Sequence, residues 1–301
     1  MSIKIEGLTK VYGDQKALDD VSFSVETGRI VGFIGPNGAG KTTTMRILTG
    51  SIPPTEGSAW IEGMNVSEQS LDIRRIIGYL PENNPLYEDM FAREYLNYVA
   101  GIYKIANKKQ RVDEIIEMTG LQKESNKKIS ALSKGYKQRI GLAQAIIHDP
   151  RVLILDEPTS GLDPNQIVEI RELINRLGKE KTVILSTHIM QEVEAICDRV
   201  LIINNGKLVA DDKAEALSDK SSDVRTVIVE FDANVKPSDL KDIKAVTKAV
   251  RLGDNKYLVQ SKSDKDVRPL LFQYAVKNKL TVLSMNLKNK SLEEVFQELT
   301  K

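Results

Sequence analysis

The sequence has a single cysteine in 301 residues, Cys197, which excludes an internal disulfide framework. No stretch approaches the roughly 20 apolar residues that a membrane-spanning helix needs. The first residues, Met1–Lys4, lack the charged and apolar regions of a signal peptide. These absences predict a cytoplasmic chain that reaches a membrane only through a partner. Because Cys197 follows an apolar helical pattern over 189–196, we expect it to be a buried structural thiol.

An excess of charge of one sign is also lacking. The chain has 43 Lys and Arg residues against 42 Asp and Glu residues, for a formal net charge of +1. We therefore expect no nucleic-acid partner and no anchor for an anionic membrane. The hydrophobic content of 41% is enough for a sizeable core. At roughly 100–200 residues per domain, this length suggests about two domains.

Apolar patterns predict an α/β first domain over residues 1–218. Alternation or short apolar runs indicate strands, and helical periodicity over about 86–147 indicates a helical insert. The sequence Asp163-Pro164 predicts the start of a further helix, because aspartate is a common N-cap and proline suits the first helical position. The predicted strands are Ile3–Glu6, Val21–Val25, Ile30–Ile34, Val152–Leu155, Thr182–Leu185 and the hairpin Val200–Ile203 with Leu208–Ala210.

A polar stretch, Ser218–Asp223, is interpreted as a linker to a smaller second domain over 223–301. Beyond it the pattern alternates strand, helix, strand, strand, helix, strand. This β-α-β-β-α-β order predicts a small ferredoxin-like α+β domain. A last helix is predicted at Leu292–Leu299.

A glycine-rich segment, Gly35-Pro36-Asn37-Gly38-Ala39-Gly40-Lys41-Thr42, matches the phosphate-binding loop pattern G-x-x-x-x-G-K-[ST]. It follows a predicted strand and opens a predicted helix, as the pattern requires. Glycines let backbone N–H groups approach phosphate oxygens, and a helix N-terminus favours negative charge. We expect Lys41 to reach the β- and γ-phosphates of ATP, Thr42 to contact Mg²⁺ and Thr43 to contact the phosphates.

Two acidic residues, Asp156 and Glu157, end the apolar strand predicted at Val152–Leu155. Ligands of open α/β sheets bind at the carboxyl ends of the strands, where these carboxylates would emerge. We predict that Asp156 holds Mg²⁺, in part through water. Glu157 is predicted to orient and polarise the attacking water.

The residues between these motifs resemble the ATP-binding cassette (ABC) ATPases over about Ser2–Ala216. Leu132–Arg139 resembles the ABC signature, Ser160–Asp163 the D-loop and Ser186–His188 the H-loop, while Tyr79–Glu82 occupies the place of the Q-loop. The fold that this resemblance implies is a P-loop ABC ATPase core with a helical subdomain. The residues implied to bind ATP besides the phosphate loop are Tyr12, which would stack on adenine, with Ser133, Gly135, Tyr136 and Asp163.

The resemblance implies a head-to-tail homodimer, or a paired ATPase subunit, that closes on two ATP molecules. His188 would contact the γ-phosphate and help to hold the water and Glu157. Such subunits work at the inner face of the cell membrane with a separate multi-span permease subunit. The signature departs from the family pattern at Lys134 and Tyr136, and Glu82 replaces the usual glutamine of the Q-loop. A carboxylate at that position can still bind Mg²⁺ but cannot donate a hydrogen bond.

Within the family, Tyr79–Pro85 and Ser291–Phe296 resemble type-two, exporter-like subunits. The overall sequence with its C-terminal unit is most similar to gliding-motility-associated ATP-binding subunits. Two other classes remain open. A non-transport ABC ATPase acting on ribosomes or DNA is disfavoured by the single cassette and the absence of a basic tract, and a P-loop kinase by the signature and D-loop.

Overall fold

A computed structural model of the chain describes residues 1–214, 216, 224–262, 266–288 and 291–300. The linker predicted at Ser218–Asp223 lies outside these residues. The chain divides into two compact units, one comprising Met1–Ala214 with Glu298–Lys301 and one comprising Glu215–Gln297. No helix in the described parts of the chain has the length and apolar character needed to cross a bilayer.

A six-stranded sheet forms the centre of the first unit, with the spatial order β10-β9-β3-β8-β7-β6. The strands from β6 to β9 along this order are parallel, and only β10 is antiparallel to its neighbour. Every residue of β3, β7 and β8 is buried, as expected for parallel strands covered on both faces. The strands are β3 (Ile30–Ile34), β6 (Ile77–Leu80), β7 (Val152–Asp156), β8 (Thr182–Thr187), β9 (Arg199–Asn204) and β10 (Lys207–Lys213).

A second, antiparallel sheet has the order β2-β1-β4-β5. Its strands are β1 (Ile3–Tyr12), β2 (Gln15–Val25), β4 (Glu56–Ile61) and β5 (Met64–Asn65). Residues from both sheets and from helix α1 (Lys41–Leu48) form one apolar core, which includes Ile3, Phe33, Met45, Leu48 and Ile61. This core fixes α1, and therefore the loop before it, against the end of β3.

The predicted helical insert contains α3 (Ala92–Ile102), α4 (Lys108–Met118), a 3-10 turn (Ile129–Ala131) and α5 (Lys134–Ile146). Their inward faces are apolar and buried, as the periodicity predicts. A helix that the pattern did not predict, α2 (Ser70–Ile76), leads directly into β6. Helix α6 (Pro164–Gly178) begins as predicted, since the Asp163 carboxylate accepts the Gln166 N–H at 2.9 Å. Helix α7 (Met190–Ile196) precedes Cys197, which is buried as expected.

The second unit has the strand order β12-β13-β11-β14, and all neighbouring pairs are antiparallel. Its elements follow the chain order strand, helix, strand, strand, helix, strand, which confirms the predicted ferredoxin-like order. Apolar residues of the sheet and helices, including Val229, Phe231, Leu240, Tyr257 and Leu271, form a separate core. The elements are β11 (Val224–Phe231), α8 (Pro237–Lys241), β12 (Val246–Gly253), β13 (Lys256–Lys262), α9 (Arg268–Lys277), β14 (Val282–Lys288) and α10 (Leu292–Leu299).

Candidate functional site

The glycine-rich loop connects the end of β3 to the start of α1. Gly40 has φ +113°, a backbone conformation that residues with a side chain rarely adopt. A Cβ atom at Gly40 would lie 2.7 Å from the Ala17 carbonyl oxygen on β2. Glycine is therefore required here by packing inside the protein as well as by the approach of a phosphate. The loop leaves the first N–H groups of α1 without intrahelical partners, and such groups bind anions.

A cavity of about 330 Å³ lies at the N-terminus of α1. Six of its lining residues belong to the loop and the first turn of α1, and the remaining two are acidic. The sequence motifs predict all eight as site residues, and the structure brings them together. The lining residues are Asn37, Gly38, Gly40, Lys41, Thr42, Thr43, Glu82 and Glu157.

The ammonium group of Lys41 lies at the centre of this loop. Its Nζ atom donates to the Gly35 carbonyl oxygen at 2.7 Å and to the Pro36 carbonyl oxygen at 3.2 Å. Burial lowers the pKa of Lys41 below its usual value, while the carboxylates of Glu157, Asp156 and then Glu82 raise it. A nearly buried cation in a polar loop is a suitable partner for a phosphate group.

Asp156 is completely buried at the end of β7. Its Oδ1 atom accepts a hydrogen bond from the Ser186 hydroxyl at 2.6 Å. Its Oδ2 atom is buried and has no hydrogen-bond partner among the described residues. A buried carboxylate oxygen without a donor fits a site for a hard cation, because Mg²⁺ prefers oxygen ligands.

No three His, Cys, Asp or Glu side chains in the described ranges are grouped so that they could hold a metal ion by themselves. This arrangement suits magnesium, which usually binds through one or two carboxylates together with substrate phosphates and water. Thr42, Glu82 and Lys41 line the cavity. The charge of Asp156 acts on Lys41 and raises its pKa. The residues present therefore fit the predicted Mg²⁺ site.

Glu157 lies directly after β7 and lines the cavity. Its Oε2 atom is 2.9 Å from Nδ1 of His188, whose side chain is more than half exposed. Burial raises the pKa of the Glu157 carboxyl, and His188 and Lys41 oppose that shift. A carboxylate with a raised pKa is better suited to accept a proton from water than an ordinary surface glutamate.

The backbone at Glu157 has φ +50°, which is uncommon for a residue other than glycine. Its N–H donates to the Ser186 hydroxyl oxygen at 2.9 Å and to the Ser186 carbonyl oxygen at 3.2 Å. The sequence motifs assign no separate role to Ser186. Its link to the acidic pair depends on β7 and β8 being neighbours, which the chain order does not reveal.

The other predicted ATP-binding residues outside the phosphate loop are not among the residues that line this cavity. Tyr12 ends β1, is about half exposed, and has the Lys10 ammonium group 5.3 Å from its ring centroid. Ser133 is the N-cap of α5, and its side chain accepts the Tyr136 N–H. The other members of this set are Gly135, in the first turn of α5, and Asp163, which caps α6.

Gly35, Pro36 and Ala39 shape the phosphate loop without lining the cavity. Gly35 and Pro36 provide the carbonyl oxygens that hold Lys41. Ala39 is buried, and its N–H donates to the Pro36 carbonyl oxygen at 3.1 Å. These three residues therefore support the loop from within.

Comparison with known proteins identifies the family. A family model described as "ABC transporter" matches residues 18–160. The bacitracin transport ATP-binding protein BcrA of Bacillus licheniformis is 47% identical over 209 residues, which is 69% of this chain and 68% of BcrA. The uncharacterized ABC transporter ATP-binding protein YhcH of Bacillus subtilis is 34% identical over 300 residues, covering 99% of this chain and 95% of YhcH.

Solved structures agree with this result. An ATP-binding subunit of an ABC transporter superimposes with a TM-score of 0.67 at 31% identity, covering 72% of this chain and 92% of that chain. The ATP-binding cassette MJ0796, in a dimeric post-hydrolysis state bound to ADP and Pi, has a TM-score of 0.66 at 27% identity, covering 70% of this chain and 98% of that chain. This chain belongs to the ABC transporter ATP-binding protein family, and it is an ATPase that serves as the ATP-binding subunit of an ABC transporter.

Proposed function

We propose that two copies of this chain, or this chain and a paired ATPase subunit, close head to tail on two ATP molecules. The observation that supports this is the division of the predicted site. The cavity is lined by the phosphate loop, Glu82 and Glu157, whereas the signature residues Ser133 and Gly135 lie outside its lining. The first turn of α5 presents N–H groups suited to an anion. The similar cassette MJ0796, which is dimeric in a post-hydrolysis state bound to ADP and Pi, supports a dimer.

The positions of the site residues support the following roles. Lys41 and the N–H groups at the start of α1 hold the phosphates, and Thr43 adds a hydroxyl. Thr42, Asp156 and Glu82 hold Mg²⁺, which neutralises charge on the phosphates when it is bound.

Two other side chains act on the attacking water. Glu157 accepts the proton of the water, and His188 holds the Glu157 carboxylate in place through its Nδ1 atom. Tyr12 offers its exposed ring to the adenine base.

A cluster of exposed apolar side chains on and beside α3 supports a membrane partner. Tyr87, Phe91, Tyr98 and Ile102 are each between 45% and 59% exposed. The rings of Tyr87 and Tyr98 lie 5.8 Å apart. Large exposed aromatic patches are typical of protein interfaces. The cluster follows the Glu82 loop in the chain, so we propose that it receives a helix of the permease at the inner face of the membrane.

The finer assignment concerns what the permease moves. Two relatives favour an exporter-type system. One is the bacitracin transport protein BcrA, and the other is YbhF of Escherichia coli, which is named as a probable multidrug ABC transporter protein. We therefore propose a type-two exporter as the partner system. The resemblance to gliding-motility subunits remains a prediction that the partner's identity will test. A role on ribosomes or DNA is not favoured, because the named relatives are transporter proteins.

We further propose that residues 1–218 form the ATP-binding domain and 223–301 an accessory domain that assists dimerisation. Deleting the residues after Asp219 should leave nucleotide binding intact. Loss of ATP binding in the truncated chain would contradict this division.

The test uses Glu157→Gln, which preserves the shape of the side chain but cannot accept a proton. The variant should bind ATP, hydrolyse it far more slowly, and form a dimer with Mg-ATP that light scattering detects. Glu180→Gln, a change of the same type at an exposed site, is the matched control. Membrane extracts are then passed over both variants with and without Mg-ATP. Capture of a multi-span membrane protein supports the transport proposal, whereas near-parental turnover of Glu157→Gln would remove the assigned role of Glu157.

A further inference from the structure

A completely buried hydroxyl group connects the two acidic residues of the site. Ser186 lies near the end of β8, and in the parallel register of β7 and β8 it is directly opposite Asp156. It is the first residue of the Ser186–His188 motif, which assigns it no role of its own. A buried serine needs partners for its hydroxyl, and the identity of these partners makes this serine unusual.

The Ser186 hydroxyl uses its single hydrogen to donate to Oδ1 of Asp156 at 2.6 Å. The same oxygen accepts the N–H of Glu157 at 2.9 Å. A distance of 2.6 Å is typical of a hydroxyl that donates to an ionised carboxylate, which is among the stronger hydrogen bonds in proteins. One side chain is therefore bonded to both neighbouring residues of the acidic pair.

The first bond sets the rotation of the Asp156 carboxylate. With Oδ1 held by Ser186, Oδ2 is left without a hydrogen-bond partner among the described residues. Because the hydroxyl has one hydrogen and donates it to Oδ1, it cannot also occupy Oδ2. The hydroxyl thus leaves one oxygen of Asp156 available as a ligand.

The second bond stabilises the backbone of Glu157 at φ +50°. Left-handed conformations of residues other than glycine are unfavourable and persist where surrounding contacts enforce them. The Glu157 N–H, held by the Ser186 hydroxyl and carbonyl oxygens, provides such a contact. In this conformation the Glu157 side chain reaches His188 and lines the cavity.

We propose that Ser186 is a positioning residue for ATP hydrolysis, whose one hydroxyl orients the metal-binding oxygen of Asp156 and the carboxylate of Glu157 together. This inference rests on the proposed roles of those two acids. Ser186 is completely buried and does not line the cavity, so its removal should impair turnover and the use of magnesium without impairing nucleotide binding in the absence of magnesium.

The experiment measures ATPase activity of the full chain against Mg²⁺ concentration, and binding of a fluorescent ATP analogue in EDTA. Ser186→Ala should lower kcat and raise the Mg²⁺ concentration at half-maximal activity, each by about 10- to 100-fold, as for other groups that orient metal ligands. Binding in EDTA should change less than about threefold. Ser186→Thr keeps the hydroxyl and should retain most of the activity.

Thr182→Val is the matched control. Thr182 is a buried hydroxyl residue at the other end of β8, where its oxygen accepts the Gly28 N–H at 3.1 Å. It should keep parental kcat and Mg²⁺ dependence. If Ser186→Ala does not fold, Ser186→Cys replaces it, since a thiol fills the space but is only a weak donor.

Parental kcat and Mg²⁺ dependence in Ser186→Ala would overturn the proposal, as would equal losses in Thr182→Val. Asp156→Asn and Glu157→Gln are measured in the same assay. If these two variants retain activity, the roles proposed for the acids fail. If they lose activity while Ser186→Ala does not, the inference about Ser186 alone fails.

Discussion

Replacing Gly141 by alanine should disturb the contact between α5 and the loop that follows Glu82. A Cβ atom at Gly141 would lie 2.6 Å from Cγ of Asn84 and 2.7 Å from Cδ1 of Leu80. The Asn84 side chain cannot move away freely, because its Nδ2 atom donates to the Lys137 carbonyl oxygen at 2.8 Å. The clash therefore affects a side chain whose hydrogen bond connects this loop to α5.

Two opposing effects determine the size of the change. Alanine stabilises a helix interior relative to glycine by about 0.8 kcal/mol, whereas overpacking of a filled site costs about 2 kcal/mol. Gly141→Ala should therefore destabilise the protein by about 1.2 kcal/mol in net terms. Asn84→Ala loses one hydrogen bond and should cost about 1 kcal/mol. In the double variant the clash with Asn84 is gone, and only the flexible end of the Leu80 side chain has to shift. The net loss should then be about 0.2 kcal/mol, which is the lost hydrogen bond minus the helix gain.

Urea unfolding followed by tryptophan fluorescence measures these values. Trp60 is the only tryptophan and belongs to β4, so its signal reports on the first unit. The additive expectation for the double variant is a loss of about 2.2 kcal/mol, and the predicted coupling is therefore about 2 kcal/mol. Additivity within about 0.5 kcal/mol would refute the reasoning, because it would mean that Asn84 does not resist the new methyl group.

Two further predictions concern the loop and a buried imidazole. Gly40→Ala should abolish binding of the fluorescent ATP analogue, because Gly40 has φ +113° and a Cβ atom there would meet a backbone oxygen. The control Gly13→Ala, at φ +56° with open space around the new Cβ, should bind the analogue normally. Burial lowers the pKa of His148, whose Nδ1 atom has no hydrogen-bond partner among the described residues. A group with a lowered folded pKa gives stability above its unfolded pKa of about 6.5 and loses it as pH falls through the folded value. The free energy of unfolding should therefore decrease from pH 7.5 to pH 5.5 more steeply in the parent than in His148→Asn, and equal slopes would contradict this.

Local signals explain why much of the fold could be predicted from the sequence. The buried run of β3, the glycine loop and α1 follow one another in the chain, so the strand, the turn and the helix start are all encoded locally. The start of α6 was equally clear, because Asp163 and Pro164 satisfy the first helical turn by themselves. Such elements need no knowledge of their neighbours.

Elements whose patterns are interrupted were harder to predict. Strand β1 continues to Tyr12 rather than ending at Glu6, and a register shift between Ile5 and Leu8 breaks its alternation. Strand β6 has four residues and follows α2 without an intervening turn, so no glycine or proline marks its start. In both cases pairing with other strands of the sheet stabilises a strand that the local residue pattern does not indicate.

The same distinction applies to the site. The phosphate loop and the acidic pair are contiguous motifs, and the cavity brings most of them together. The hydrogen bonds of Ser186 connect residues 29 and 30 positions away. The left-handed backbone of Glu157 likewise has no sequence signal, because glutamate is not a residue that favours it.

The two hydrogen bonds from Lys41 to its own loop have a consequence for how the protein recycles. Since two of the three ammonium hydrogens of Lys41 already bond to Gly35 and Pro36, a phosphate that binds there gains the third as a new hydrogen bond and must exchange bonds to gain the other two. The loss of conformational entropy on ordering the loop is incurred at folding and not at each binding event. When a phosphate leaves, the lysine can return to the same carbonyl oxygens. The loop thus keeps its shape from one catalytic cycle to the next, and affinity for the product is held down by the partners to which the lysine returns.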